Sequence, residues 1–171
     1  CILKDLNMSI KKILIWLPAI VMAMIIFGFS KQDGEESSGL SYKAADIILT
    51  VCDKAGIIDC NENNRESMIE AVQFPIRKAA HMTEYAILGW LAFAFSGTFE
   101  MRQKVHYIAA LGFAFCYAST DEFHQLFIPG RSGQFTDVCI DTAGAAIGLL
   151  LLAILLKIGR RHCAKSAHTL Q

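Results

Sequence analysis

The sequence predicts an all-α, polytopic membrane helical bundle with about four transmembrane helices and a helical outer loop. Composition leads there first: the 171 residues are 54% hydrophobic and only 19% charged, while soluble domains run nearer ~45–50% apolar and ~25% charged. Patterning is the second observation. The mean hydropathy of +0.40 is concentrated in four runs that reach the ~20 residues needed to cross a bilayer. In lipid the backbone must satisfy its own hydrogen bonds, so such runs are helices rather than open strands. The balance of 16 basic and 16 acidic residues, net +0, leaves no electrostatic footprint for nucleic acid, and none is expected as a partner.

The first run covers roughly 13–30. It follows two lysines in "MSIKKILIWLPAIVMAMIIFGF", where Met8 is a natural start. Its length and the absence of a small-x-small site argue against a cleaved signal peptide. The second run is roughly 75–97, opening at Pro75, a residue suited to a first helical turn. The third is roughly 105–126 and the fourth roughly 137–158. Residues 1–12 then read as a cytoplasmic flank, 13–158 as one membrane domain and 159–171 as a basic cytoplasmic tail. Within the outer loop, 31–74, "SYKAADIILTVCDKAGII" has a helical apolar period and "NRESMIEAVQF" suggests a second short helix.

Basic residues set the orientation. With the N-terminus inside, nine of the sixteen Lys and Arg fall in short inner flanks, while fourteen of the sixteen Asp and Glu fall outside or at outer helix ends. Both termini are therefore expected in the cytoplasm. Cys52 and Cys60 share the outer loop and could pair in an oxidising space. Cys116 and Cys139 read as packing residues, and there is no CxxC.

Charges at the outer helix ends carry the functional reading. Arg77, His81, Glu84 and Leu88 are spaced four, three and four, so they share one helix face, with Lys78 on an overlapping stripe. Glu84 lies about nine residues past Pro75, roughly 13 Å along the axis. A carboxylate at that depth needs a partner and should face the bundle. On the third helix Asp121, His124 and Gln125 share a side, with Glu122 offset. "FIPGRSGQF" turns the chain and places Arg131 at the same level. The fourth helix opens on Asp137, favourable at a helix N-terminus, with Asp141 one turn deeper. Gly144 and Gly148 form a GxxxG motif for close helix approach, which a homo-oligomer could also use. Alternating topology delivers all these groups to one height. They form either a ligand pocket or a set of ion pairs that locks the helix ends.

Three stretches, "FSKQDG", "RKAAHMTEYAILG" and "DEFHQLFIPGRSGQFTDVCIDTAGAAIG", resemble the VanZ-like family of bacterial membrane proteins over roughly residues 20–155. The resemblance implies a small helical protein of the cytoplasmic membrane. Its founding member is associated with resistance to the glycopeptide teicoplanin. Matched to the family's polar positions are Arg77, Lys78, His81, Glu84, Asp121, Glu122, Gln125, Arg131, Asp137, Asp141 and Gly144. His124 stands at a less constrained place, and Asp141 where relatives often carry Asn.

Three functions compete. In the first, an outer polar pocket binds a lipid-linked or cell-wall-related anionic ligand through Arg77, Lys78 and Arg131. In the second, the chain is an intramembrane enzyme on an envelope lipid, with His81, Glu84, Asp121, Glu122 and Asp137 as candidate catalytic groups. Dedicated metalloenzyme spacing such as HExxH and the GxSxG serine motif are both absent, so no metal set is assigned. In the third, a small transporter relays protons through Glu84 and Asp141, although its charges gather at one face and not at the midplane.

Overall fold

The computed structural model describes the backbone of residues 2–32 and 34–169 and the side chains of residues 14–32 and 35–162. Side chains of the 1–12 flank and of the tail beyond residue 162 lie outside the described residues. The chain is all-α. Five helices and no strand occur among the described residues: α1 (Ile2–Ser30), α2 (Gly34–Lys54), α3 (Arg65–Ser96), α4 (Gln103–Gln125) and α5 (Phe135–Thr169).

Helix α3 is the hub, packing against α5, α4, α2 and α1. Its tightest neighbour is α5, which runs parallel to it. Gly144 and Gly148 lie flat against the α3 backbone. A Cβ added at Gly144 would come within 2.6 Å of the Met82 Cα, and one at Gly148 within 2.8 Å of the Ala86 Cα. Small residues let two helix backbones meet in this way. Below them Gly89 faces Ala145, and the Trp90 indole N–H donates to the Gly148 carbonyl. The GxxxG face is therefore used within the chain, against α3.

The central core is Ile26, Tyr85, Leu88, Ala114, Ala118, Val138 and Ala145. Tyr117 ties α4 to α1 by donating its hydroxyl to the Ala23 carbonyl. At the other end of the bundle, His106 of α4 hydrogen-bonds Ser96 of α3 at 3.1 Å.

One expected boundary is corrected. Pro75 does not open a helix; it lies inside the 32-residue α3. An internal proline removes one backbone hydrogen bond and disfavours continuation, but the segment before it is held by packing on α2. Ala45, Leu49 and Ile69 form a second buried cluster there. Arg65 pairs with Asp46 at 2.6 Å, and the Tyr42 hydroxyl donates to Glu66 at 2.8 Å. Much of the segment 31–74 is thus two helices clamped together. Helix α5 runs on through the basic segment from 159 to Thr169. Cys52 and Cys60 are both free thiols.

Among the described residues only Phe135–His162 of α5 qualifies alone as a membrane span by length and composition, and α1 with α2, bent by 105°, forms a broken candidate. Helices α3 and α4 fall short of that test, and each carries a group of polar side chains at the level where α5 starts: Arg77, Lys78, His81 and Glu84 on one, Asp121, Glu122, His124 and Gln125 on the other. Even so, the bundle exposes large apolar side chains on α1 (Leu14, Leu17, Met24), α4 (Ile108, Phe113) and α5 (Leu150, Leu151, Leu155). Of the most apolar stretch of α5 only 33% is buried, unlike the core helix of a soluble domain.

The close approach of α3 and α5 should be intolerant of added volume. Gly144→Ala is expected to lower stability by about 1–3 kcal/mol, the usual range for overpacking. Gly112→Ala, whose new methyl would meet nothing within 4 Å, should be neutral or mildly stabilising. Thermal unfolding of the detergent-solubilised chain measures both.

Candidate functional site

Helix α3 presents Arg77, Lys78 and His81 on one side near its contact with α5, at the level where α4 ends and α5 begins. Lys78 meets Asp137 of α5 at 2.6 Å, both side chains about four-fifths buried, and its ammonium also lies over the Phe74 ring at 5.3 Å. Asp137 sits in the first turn of α5, so it caps a helix end electrostatically and pairs with a cation at once.

The turn between α4 and α5 is shaped by two glycines. Gly130 has φ +71°, a conformation that other residues adopt at a cost. Gly133 packs so tightly on α4 that a Cβ there would collide with the Glu122 carbonyl. The Gln134 backbone N–H donates to the Glu122 carboxylate at 2.9 Å. Between these anchors Arg131 reaches back into the bundle. Its Nε donates to the Gln32 carbonyl at 3.2 Å and its Nη1 to the Gln125 side-chain carbonyl at 3.4 Å. Burial lowers the Arg131 pKa from its usual value, and Arg77 pushes the same way; a guanidinium nonetheless stays charged.

Arg77 is fixed from another direction. Its Nη2 donates to the Ser38 and Ser41 hydroxyls of α2, at 3.1 and 3.0 Å, while its Nε is buried without a partner. Neither Arg77 nor Arg131 has a carboxylate within 4 Å among the described residues. Both guanidiniums are held by neutral oxygen atoms, and they act on each other as like charges.

Together these groups surround a polar cavity of about 160 Å³. Of the residues singled out in the sequence, Arg77, Lys78, His81, Glu122, Gln125, Arg131, Asp137 and Asp141 line it. Two do not. Glu84 lines a neighbouring groove of about 210 Å³ between α1, α2 and α3. Asp121 is buried behind the cavity, accepting a 3.4 Å hydrogen bond from Gln125. His124 does not line the cavity; its ring packs at a tilt against Phe27 of α1, ring centres 4.8 Å apart. Glu122, offset from Asp121 in the helical period, is the α4 carboxylate that reaches the cavity. His81 and Glu84 stand 3.7 Å apart, too far for a hydrogen bond.

Arg77, His81 and Arg131 line both the cavity and the groove. The groove is otherwise largely apolar, with Phe29, Leu40, Ala44 and Ile76 among its walls. Sequence reasoning missed Ser38 and Ser41, which orient Arg77, and Gln134, which holds Glu122. The two serines lie one turn apart on α2, yet no period within that helix points to an arginine 36 residues later. Among the described residues no three His, Cys, Asp or Glu side chains gather closely enough to hold a metal ion.

Fold and site together define a small all-helical protein with a cluster of ionisable groups at one end of an apolar bundle. The sequence matches the VanZ/LLP1 family over residues 15–156, and the chain belongs to this VanZ-like family. No curated protein and no solved structure matches it.

The Lys78–Asp137 pair links the two closest helices at the cavity rim. A double-mutant cycle with Lys78→Met and Asp137→Asn should give a coupling of about 0.5–3 kcal/mol, the span for contacting pairs. A coupling near zero in chemical unfolding would make the pair incidental.

Proposed function

We propose that this chain is a multi-pass protein of the bacterial cytoplasmic membrane whose outer face binds a lipid-linked or cell-wall-related anionic ligand, and that it thereby influences teicoplanin susceptibility. The observation that carries the reading is the shared wall of Arg77, His81 and Arg131. On one side of it lies a small polar cavity, on the other a somewhat larger, mostly apolar groove. A phosphate-bearing headgroup would fit the first and the start of a hydrocarbon chain the second.

Two like-charged guanidiniums with neutral partners favour an anion between them, because bidentate Arg–phosphate contacts are strong where water is scarce. Lys78 contributes less, since Asp137 already offsets its charge. Glu122 and Asp141 are buried and set the limits of the cavity, so the ligand's negative charge belongs at the arginine wall.

The membrane reading is supported by the exposed apolar faces of α1, α4 and α5 and by the inner concentration of basic residues. It places both termini in the cytoplasm and the α2–α3 clamp outside. A C-terminal fluorescent-protein fusion should fluoresce, while a reporter active only outside the cytoplasm should work when inserted at residues 61–64. The opposite pattern would reverse the orientation.

Ligand binding is tested separately. Protein purified in mild detergent should retain an anionic lipid or lipid-linked precursor detectable by mass spectrometry. Arg131→Ala and Arg77→Ala should each lower its retention by about tenfold or more, as loss of a charge-assisted contact implies, while the fold and membrane insertion persist. The same variants should lose any effect of the chain on teicoplanin susceptibility. Retention unchanged in both variants would sink the pocket reading, and loss of the folded protein would instead make the arginines structural.

A further inference from the structure

A second charged groove lies at the other end of the bundle, between α4 and α5. It encloses about 460 Å³ and is walled by Tyr107 and Gln103 of α4 and by Leu156, Lys157, Arg160 and Arg161 of α5. Lys157 lies 16 residues beyond Asp141, about 24 Å along a helix at 1.5 Å per residue, so this is not an extension of the outer cavity. We propose that this groove is a binding site for the headgroup of an anionic glycerophospholipid of the inner leaflet. The proposal assumes the membrane crossing described above but not the outer ligand.

Three observations support it. The groove carries three cations and no carboxylate among its walls, and none of the three forms an ion pair among the described residues. Their spacing keeps Lys157, Arg160 and Arg161 over the apolar Leu156, a basic rim above a floor suited to the start of acyl chains. Tyr107 supplies an independent feature. Its ring packs on Phe93 with centres 4.5 Å apart, fixing the side chain, yet its hydroxyl is buried with no hydrogen-bond partner. A buried hydroxyl without a partner is costly, and a phosphate or glycerol oxygen in the groove would relieve it.

Basic residues collect on the inner side of many membrane proteins without forming any site, and the test separates that case. Dioleoyl-phosphatidylglycerol and dioleoyl-phosphatidylcholine are titrated onto the delipidated full chain in detergent, and bound lipids are counted by native mass spectrometry. One phosphatidylglycerol should bind at least about tenfold more tightly than phosphatidylcholine, on the scale expected for several basic residues near a headgroup. The Lys157→Gln/Arg160→Gln/Arg161→Gln variant should abolish that preference and Tyr107→Phe should weaken it. Arg102→Gln/Lys104→Gln, which removes inner-end charge outside the groove, should preserve it, as should Arg131→Ala. No preference in the wild-type chain would overturn the proposal. So would equal loss in the Arg102/Lys104 variant, which indicates a diffuse charge effect. Loss in Arg131→Ala with retention in the triple variant would assign the lipid to the outer cavity instead. Full displacement by millimolar inorganic phosphate would make the groove a simple anion site and defeat the lipid assignment.

Discussion

The backbone-to-backbone contact of α3 with α5 at Gly144 and Gly148 is the constraint on which the rest of the structure depends. Each glycine sits where even a methyl group would strike Met82 or Ala86. That closeness brings the first turn of α5 beside the middle of α3, so Asp137 meets Lys78 and Asp141 joins the cavity wall. Had the helices stood at an ordinary separation of ~8–10 Å, the polar ends would have splayed and each charge would have needed its own route to solvent. The cost of burying ionisable groups in an apolar bundle is offset here by gathering them around one shared cavity.

How the cations are held matters as much as where they are. An arginine fixed by a carboxylate is already neutralised. Arg77 is fixed by two serine hydroxyls and Arg131 by a backbone carbonyl and an amide oxygen, so both are oriented without a direct ion pair among the described residues. The clamp between α2 and the first turns of α3 serves this purpose. Arg65–Asp46 and Tyr42–Glu66 carry α3 outward past Pro75 and keep α2 alongside, which is what brings Ser38 and Ser41 within reach of Arg77.

Much of this was legible in the sequence because it follows from periods and topology. Alternation of long apolar runs placed the ends of the second, third and fourth helices at one level, and the spacing of 77, 81 and 84 put those side chains on one face. The all-helical class and the close-packing glycines follow from the same patterns, and the family resemblance agrees with the match over residues 15–156. What was not legible depended on contacts between distant segments. Helical period cannot tell which carboxylate of Asp121 and Glu122 faces the cavity when both are buried; the pinning of Gln134 on Glu122 decides it. Nor could local rules foresee that packing on α2 would carry a helix straight through Pro75. His124 looked like a member of the cluster by spacing alone, yet the aromatic face of Phe27 claims it.

The hydrogen bond from the Trp90 indole to the Gly148 carbonyl gives the molecule a built-in optical gauge. The indole bridges the tightest seam in the bundle, so its emission responds to the distance between α3 and α5. The other tryptophan, Trp16, lies on α1 against Phe95 and reports a different contact. With Trp16 replaced by phenylalanine, the colour of a single residue would register any opening of the seam, without any attached dye.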